Sequence, residues 1–360
     1  MTDKKRIGFL TYWGWSRGQA YLNLANVKMI QDDYDVFILK QFNNPISDEF
    51  KDVKVTITET PNYEVNSEIF KIWVTDNKLD AVVFTEYKQW TEDTTNDLIP
   101  VCKELGVKAY ATLVWEKFTN IEDYAGYDRL IAPTVSYEKF FRRKKYRKHT
   151  YVPMSIDFNE FPKKDVKMGK PFTFFHPGGF GGVHNRKNTD VVVEAFRMLN
   201  REDTKLIITT LKPVTPELRA NIPDNIELIE ANLSRQEMID LYYKADITVL
   251  PSKWETIGIP ILESLAAGTP VITTNMPPMN EFIRNGLNGY VCTAMPKWYD
   301  GIHVQGGDVD APDLCNKMEA SMNEVLYPIL ANNARKISEQ LYDIEKNKKY
   351  FLDFLKGDLK

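Results

Sequence analysis

Short apolar runs alternate with longer amphipathic stretches along this chain, in two consecutive series. Such alternation predicts parallel sheets covered by helices, because parallel strands are buried on both faces and each return connection crosses back over the sheet. In the first series, strands are expected at Arg6–Thr11, Tyr34–Leu39, Val53–Thr58, Leu79–Thr85, Val107–Val114 and Arg129–Ala132. Helices are expected between them at Gly18–Gln31, Tyr63–Asn77, Thr94–Leu105 and Val135–Tyr146. The second series has strands at Phe172–His176, Lys205–Thr210, Ile226–Glu230, Ile247–Leu250, Val271–Thr273 and Tyr290–Thr293. Its helices are Thr189–Asn200, Arg235–Lys244, Ile259–Ala267 and Asp313–Val325.

A lysine-, proline- and glycine-rich stretch, Phe158–Lys170, separates the series and reads as an interdomain linker. The last stretch, Ala331–Leu355, is a helical pattern with no strand after it, expected to pack across both domains. The expected fold is α/β, with domains at 1–157 and 171–330, a linker at 158–170 and a helical segment at 331–360. A length of 360 residues suits two domains.

Net charge is −4, so no global positive field favours nucleic acid. Cys102, Cys292 and Cys315 lie far apart and form neither a disulfide framework nor a zinc motif. The apolar run Ile7–Leu10 is too short for a signal-peptide core or a membrane span, which predicts a cytoplasmic protein. One dense basic run, Arg142–His149, suits contact with anionic lipid or a phosphorylated acceptor, or is a solvated helix end.

Two α/β domains in series suit dehydrogenases, epimerases and binding proteins equally, so motifs must separate them. The most informative segment is ADITVLPSKWETIGIPILESLAAGTPVITT, residues 245–274. It reads as a buried strand, a loop, a helix beginning near Ile259 with Pro260 in its first turn, and a second buried strand after Gly268. Backbone amides of Thr256, Ile257, Gly258 and Ile259 would gather at the helix start, where a phosphate or sugar oxygen is well placed. Glu255 precedes that turn and Glu263 follows it, and carboxylates accept hydrogen bonds from sugar hydroxyls. By spacing alone, Glu255 could equally cap the helix and Glu263 face solvent.

The pattern Glu255-Thr-Ile-Gly-Ile-Pro-Ile-Leu-Glu263 resembles the E-x7-E signature of the family 4 (group 1) retaining glycosyltransferases, which have the GT-B fold. Leu233–Ser252, the helix RKNTDVVVEAF at Arg186–Phe196, and YVPMSIDFNEF at Tyr151–Phe161 are similar to further family segments. The resemblance covers about Tyr151 to Ala320 and implies two Rossmann-like domains facing across a cleft, with a C-terminal helix crossing back. It implies that Glu263 holds the ribose hydroxyls of a nucleotide-diphosphate sugar, that Glu255 meets the donor sugar, and that the 256–259 amides meet the diphosphate. Transfer to a hydroxyl acceptor, a glycan or lipid-linked molecule, would follow a front-face course without metal or other cofactor. A sugar-nucleotide epimerase or hydrolase, and a non-catalytic nucleotide-sugar-binding subunit, are the alternatives.

Phe174–Asn188 reads as a strand, a glycine-rich loop containing Gly179, and a helix start capped by Asn188. Arg186 and Lys187 stand there to neutralise a diphosphate leaving group. The family usually has an arginine directly after the strand-end glycine, and Arg186 would replace it. Gly14 and Arg17, after the first strand, are expected to face the donor phosphates or the acceptor, although the family's Gly-Gly pair is missing here. No counterpart of an acceptor-side histidine is evident, and Glu86, Trp115 and Glu116 are the acceptor-side candidates. His176 and His184 read as structural histidines.

Overall fold

The computed structural model describes residues 4–14, 18–41, 44–60, 65–86, 97–179, 186–220 and 222–360. The chain forms two compact units, residues 1–155 with 344–360, and residues 156–343.

The first unit runs β1 (Arg6–Thr11), α1 (Gly18–Ile30), β2 (Asp35–Lys40), β3 (Val55–Glu59), α2 (Ser67–Asp76), β4 (Ala81–Thr85) and α3 (Ile99–Leu105). It continues through β5 (Lys108–Thr112), β6 (Arg129–Ala132), α4 (Val135–Arg143) and β7 (His149–Tyr151). All seven strands form one parallel sheet in the order β3-β2-β1-β4-β5-β6-β7. Its core includes Ile7, Phe9, Val36, Ile38, Ala81, Val83 and Tyr110, which alternate inward along the strands. The starts expected for helices at Tyr63 and Thr94 lie outside the described residues.

In the second unit come β8 (Phe172–Gly179), α5 (Thr189–Leu199), β9 (Thr204–Thr210), α6 (Pro216–Ala220), β10 (Ile226–Glu230), α7 (Arg235–Lys244) and β11 (Ile247–Leu250). Then follow α8 (Ile259–Ala266), β12 (Val271–Thr274), β13 (Gly289–Cys292), β14 (Met295–Lys297), β15 (Gly306–Asp308), α9 (Ala311–Ser321) and α10 (Tyr327–Tyr342). The six-stranded parallel sheet has the order β10-β9-β8-β11-β12-β13. Strand order therefore reverses between β8 and β11, and ligands of such sheets sit outside the carboxyl ends of the strands at that reversal.

Three details depart from the pattern read in the sequence. The stretch 158–170 is laid against the second unit, with Phe158 and Phe161 buried and Gly169 N–H donating to Asp246 at 2.7 Å. Lys164 donates to the carbonyl of Tyr243 at 3.2 Å and to Thr269 Oγ1 at 3.0 Å, so this basic stretch finds fixed partners. The C-terminal helical pattern breaks at Asp343, giving α10 and then α11 (Ile344–Asp358), which belongs to the first unit and packs on α1. At the break the Ile156 amide takes the Tyr342 carbonyl at 2.8 Å, and Ile156 bridges to Asp343. The hairpin of β14 and β15 and the three-residue β7 are additional, since neither carries an alternating apolar pattern. Among the described residues, no helix is long and apolar enough to cross a membrane.

Candidate functional site

At the reversal in the second sheet, β8 and β11 lie side by side, with Ile247 opposite Phe174 and Thr248 opposite Phe175. The connections that leave their carboxyl ends are bonded to each other. Asn188 Nδ2 donates to the Pro251 carbonyl at 2.8 Å, and Lys253 N–H donates to the Arg186 carbonyl at 2.7 Å. Asn188, expected to cap α5, instead has φ of 54° and makes no side-chain cap bond, because its amide is used across the loops.

These bonds bring Arg186 and Lys187 onto Glu255. Lys187 Nζ lies 2.5 Å from Glu255 Oε1, Arg186 Nη1 lies 3.3 Å from Oε2, and Ser252 Oγ donates to Oε1 at 2.8 Å. Glu255 and Lys187 are both buried. Burial by itself would push the Glu255 carboxyl up, but Arg186 and Lys187 together outweigh it and hold it at about 2. One carboxylate answers two cations, leaving the cluster a net positive charge at the carboxyl edge of the sheet. A residual positive charge with low mobility suits a phosphate or diphosphate group.

Glycine is required where α8 begins. Gly258 precedes the helix at φ of 82°, and a Cβ there would lie 3.3 Å from Ile261 Cδ1. Ile257 and Ile259 bury their side chains at this turn.

Glu263, one turn into α8, is buried and ion-paired with Arg235 Nη1, and the Tyr242 hydroxyl donates to its Oε2 at 3.0 Å. The same guanidinium reaches Glu160 Oε2 at 3.1 Å and 3.2 Å and lies over the Phe161 ring at 5.5 Å. Arg235 was not a sequence candidate, although a signal existed. A cation in the first turn of a helix opposes the helix dipole and needs a compensating anion, and Arg235 opens α7 directly after its Ser234 cap.

His176 is fully buried, bonded through Nδ1 to the Val249 carbonyl at 2.7 Å and through Nε2 to Thr189 Oγ1 at 2.8 Å. A carbonyl only accepts, so Nδ1 carries the proton and Nε2 accepts from the threonine. Burial, more than any neighbour, depresses this imidazole to about 4, which keeps it neutral. Its place is structural: it ties β8 to β11 and to the start of α5.

Gly179 ends β8 at φ of 56°, and its carbonyl accepts from Leu211 N–H at 3.2 Å. Residues 180–185, which include His184, lie outside the described residues, as does Arg17. Gly14, in the first unit, is a buried turn residue at φ of 79°, where a Cβ would come within 2.8 Å of Ile46 Cα.

The three acceptor-side candidates gather at the carboxyl ends of β4 and β5 around Tyr137. Trp115 is buried and stacked on the Tyr137 ring at 4.9 Å, and its backbone N–H donates to the Tyr137 hydroxyl at 3.3 Å. Glu116 is buried, and Glu86 is half-buried at φ of 55°. Burial raises the Tyr137 hydroxyl well above its ordinary range, and the charges of Glu116 and Glu86 raise it further. Trp115 is thereby a core residue, and the two glutamates supply the polar chemistry of this edge.

Residues 157–298 match the family model described as glycosyl transferases group 1. The chain is 31% identical over 154 residues to an uncharacterised glycosyltransferase of Sulfolobus islandicus rod-shaped virus 1, covering 40% of this chain and 45% of the relative. It is 31% identical over 171 residues to an alpha-monoglucosyldiacylglycerol synthase of Streptococcus pneumoniae, covering 44% of this chain and 36% of that one. The chain thus spans less than half the length of these curated relatives. In structure it is similar to Anabaena HepE, solved with UDP and glucose, at a TM-score of 0.75 and 13% identity over 98% of this chain and 100% of that one. The chain thus has the GT-B fold of two Rossmann-like domains, and its segment 157–298 matches the group 1 glycosyltransferases.

Proposed function

We propose that the protein is a retaining glycosyltransferase that moves a sugar from a nucleotide-diphosphate sugar to a hydroxyl acceptor. The observation that carries this is the Arg186–Lys187–Glu255 cluster at the strand-order reversal, where one buried carboxylate meets two cations. The donor diphosphate would lie against Arg186, Lys187 and the amides of 256–259, with Glu255 toward the sugar and Glu263 toward the ribose. In the transfer, the bond from the anomeric carbon to the donor phosphate oxygen breaks as the acceptor oxygen bonds to the same face. The departing phosphate oxygen takes the acceptor proton, and Arg186 and Lys187 stabilise the charge that develops on the diphosphate. Neither glutamate need form a covalent intermediate, and no metal is required. The acceptor side is assigned to the first unit, at the carboxyl edge that carries Glu86 and Glu116, and the acceptor class is a glycan or glycolipid.

Incubation with UDP-, GDP- and ADP-sugars and a panel of glycan and glycolipid acceptors tests the reading. The expected result is a product whose anomeric configuration, followed by proton NMR, equals that of the donor, formed equally well in excess chelator. Inversion would overturn the stereochemistry, and loss of activity with chelator would overturn the metal-independent course. Donor binding with no transfer to any acceptor would point to a binding subunit.

A further inference from the structure

The basic run at the end of α4 is not used by the transfer chemistry. Six of the seven residues from Arg142 to Lys148 are cations, in a chain whose net charge is −4. Arg142, Arg143, Lys144, Lys145, Arg147 and Lys148 are all exposed, and Lys139 one turn earlier is exposed too. Among the described residues only Arg142 has a carboxylate partner here, Glu138 at 2.5 Å, while Lys148 turns toward the Ala125 carbonyl at 3.3 Å. Arg143, Lys144, Lys145 and Arg147 make no ion pair among the described residues.

The position of the run separates its uses. The start of α4 follows the carboxyl end of β6, and its far end feeds β7, which is parallel to β6. The cations therefore stand at the amino edge of the first sheet, about 13 Å of helix away from the edge that holds Glu86 and Glu116. They stand exposed at a helix end. The aromatic residues of the run, Phe140, Phe141 and Tyr146, are buried in the first unit, and the Tyr146 hydroxyl donates to the Tyr124 carbonyl at 2.9 Å. These three rings are thus packed away from bases or a lipid layer, and His149 is half-buried with Nδ1 on the Tyr146 carbonyl at 2.7 Å.

We propose that the Arg142–Lys148 face docks the protein on an anionic lipid bilayer by electrostatics alone, without insertion. The proposal stands apart from the transferase reading, since it concerns only where the protein sits. Each basic residue near such a surface strengthens partitioning about fivefold, at about 1 kcal/mol per charge.

The experiment is co-sedimentation of the full chain with vesicles of phosphatidylglycerol mixed into phosphatidylcholine, against pure phosphatidylcholine. Binding is expected to the mixed vesicles only, and it should vanish at high salt. Neutralising Arg143→Gln, Lys144→Gln, Lys145→Gln and Arg147→Gln together should weaken it by roughly 600-fold, with the melting curve unchanged. The salt titration of the unaltered protein is a second measurement that does not depend on the variant folding. Equal binding to both vesicle types, salt-insensitive binding, or undiminished binding of the folded variant would overturn the proposal. So would retention on heparin or RNA with no vesicle binding, which would mark the face as a site for a soluble polyanion.

Discussion

The carboxyl edges of the two sheets solve different chemical problems with the same topology. In the second unit the edge is charged and internally answered: Glu255 is held by Lys187 and Arg186, and Glu263 by Arg235 and Tyr242. In the first unit the edge carries Glu86, Glu116 and the Lys40–Glu59 pair, and beside them several buried neutral polar atoms have no hydrogen-bond partner among the described residues: Trp13 Nε1, both amide atoms of Gln19, Asn44 Oδ1 and Thr112 Oγ1. Fixed charges with fixed partners are preorganised for an anionic ligand. Neutral donors and acceptors held out of water suit a ligand rich in hydroxyls, which can donate and accept at once. The difference explains why one edge could be read from motifs and the other could not.

Removing Glu255 should have the largest effect. Glu255→Ala strands a buried Lys187 beside Arg186, and breaking a buried pair in this way costs about 3–5 kcal/mol. Turnover should fall by about a thousandfold, and calorimetry should show a melting temperature lower by roughly 10 °C. This variant is thus expected to fold but to be less stable than the unaltered protein. Lys187→Met with Glu255→Leu, which removes both charges, should recover much of the stability and none of the activity. Unchanged stability in Glu255→Ala would show that the cluster is not closed as described.

Acid should weaken the second unit before the first. His176, at about 4, lies below an ordinary histidine, so the unfolded chain binds its proton first as pH falls from 6.5 to 4. Stability is lost across that window, by about 3 kcal/mol. Glu255, at about 2, lies below an ordinary glutamate and stabilises the fold above 4.5, a contribution of similar size that is lost as pH falls toward 2. Both losses fall in residues 156–343. Hydrogen exchange at pH 7 and pH 5 should therefore show protection declining in β8 and β11 while β1 and β4 hold. Equal decline in both units would remove the contrast.

Arg235 sharpens the contrast more gently. Its guanidinium fixes one side of Glu263, the carboxylate that the proposed reading turns toward the ribose. Arg235→Gln should raise the donor KM about tenfold and leave kcat within about threefold, the pattern of lost uniform binding. Arg235→Lys, with one point charge in place of a fork, should recover part of the affinity. A matching fall in kcat would place Arg235 in the chemistry rather than in positioning.

The second unit was legible because its signals are local. The strand at Ile247–Leu250, Pro260, Gly268 and the spacing of Glu255 and Glu263 all fall within thirty residues, and each has a backbone reason. The Lys187–Glu255 pair spans 68 residues, and only the glycine-rich connection after β8 hinted at it. Arg235 joins Glu160 and Glu263, 75 and 28 residues away, and no periodicity records such a link. The packing of 158–170 was hidden by composition, since lysine, proline and glycine describe a free linker as well as one pinned by Lys164 and by Arg335, which donates to the Phe161 carbonyl and lies over the Phe158 ring. Trp115 was misleading in the opposite sense, because an aromatic beside a glutamate at a strand end looks alike whether it stacks on a sugar or on Tyr137.

Thr112 gives the smallest effect and the most direct test of the first unit's edge. Its Oγ1 is buried at the end of β5 with no partner among the described residues. Thr112→Val keeps the shape and removes the hydroxyl. Where a buried polar group makes no bond, replacing it with a methyl is neutral or stabilising, so stability should stay within about 1 kcal/mol. If this edge receives the acceptor, the acceptor KM should rise by about two- to fivefold, while the donor KM is unchanged. A stability loss well above 1 kcal/mol would mean that Thr112 is already satisfied in solution. A shift in donor rather than acceptor KM would place the hydroxyl ligand on the other unit.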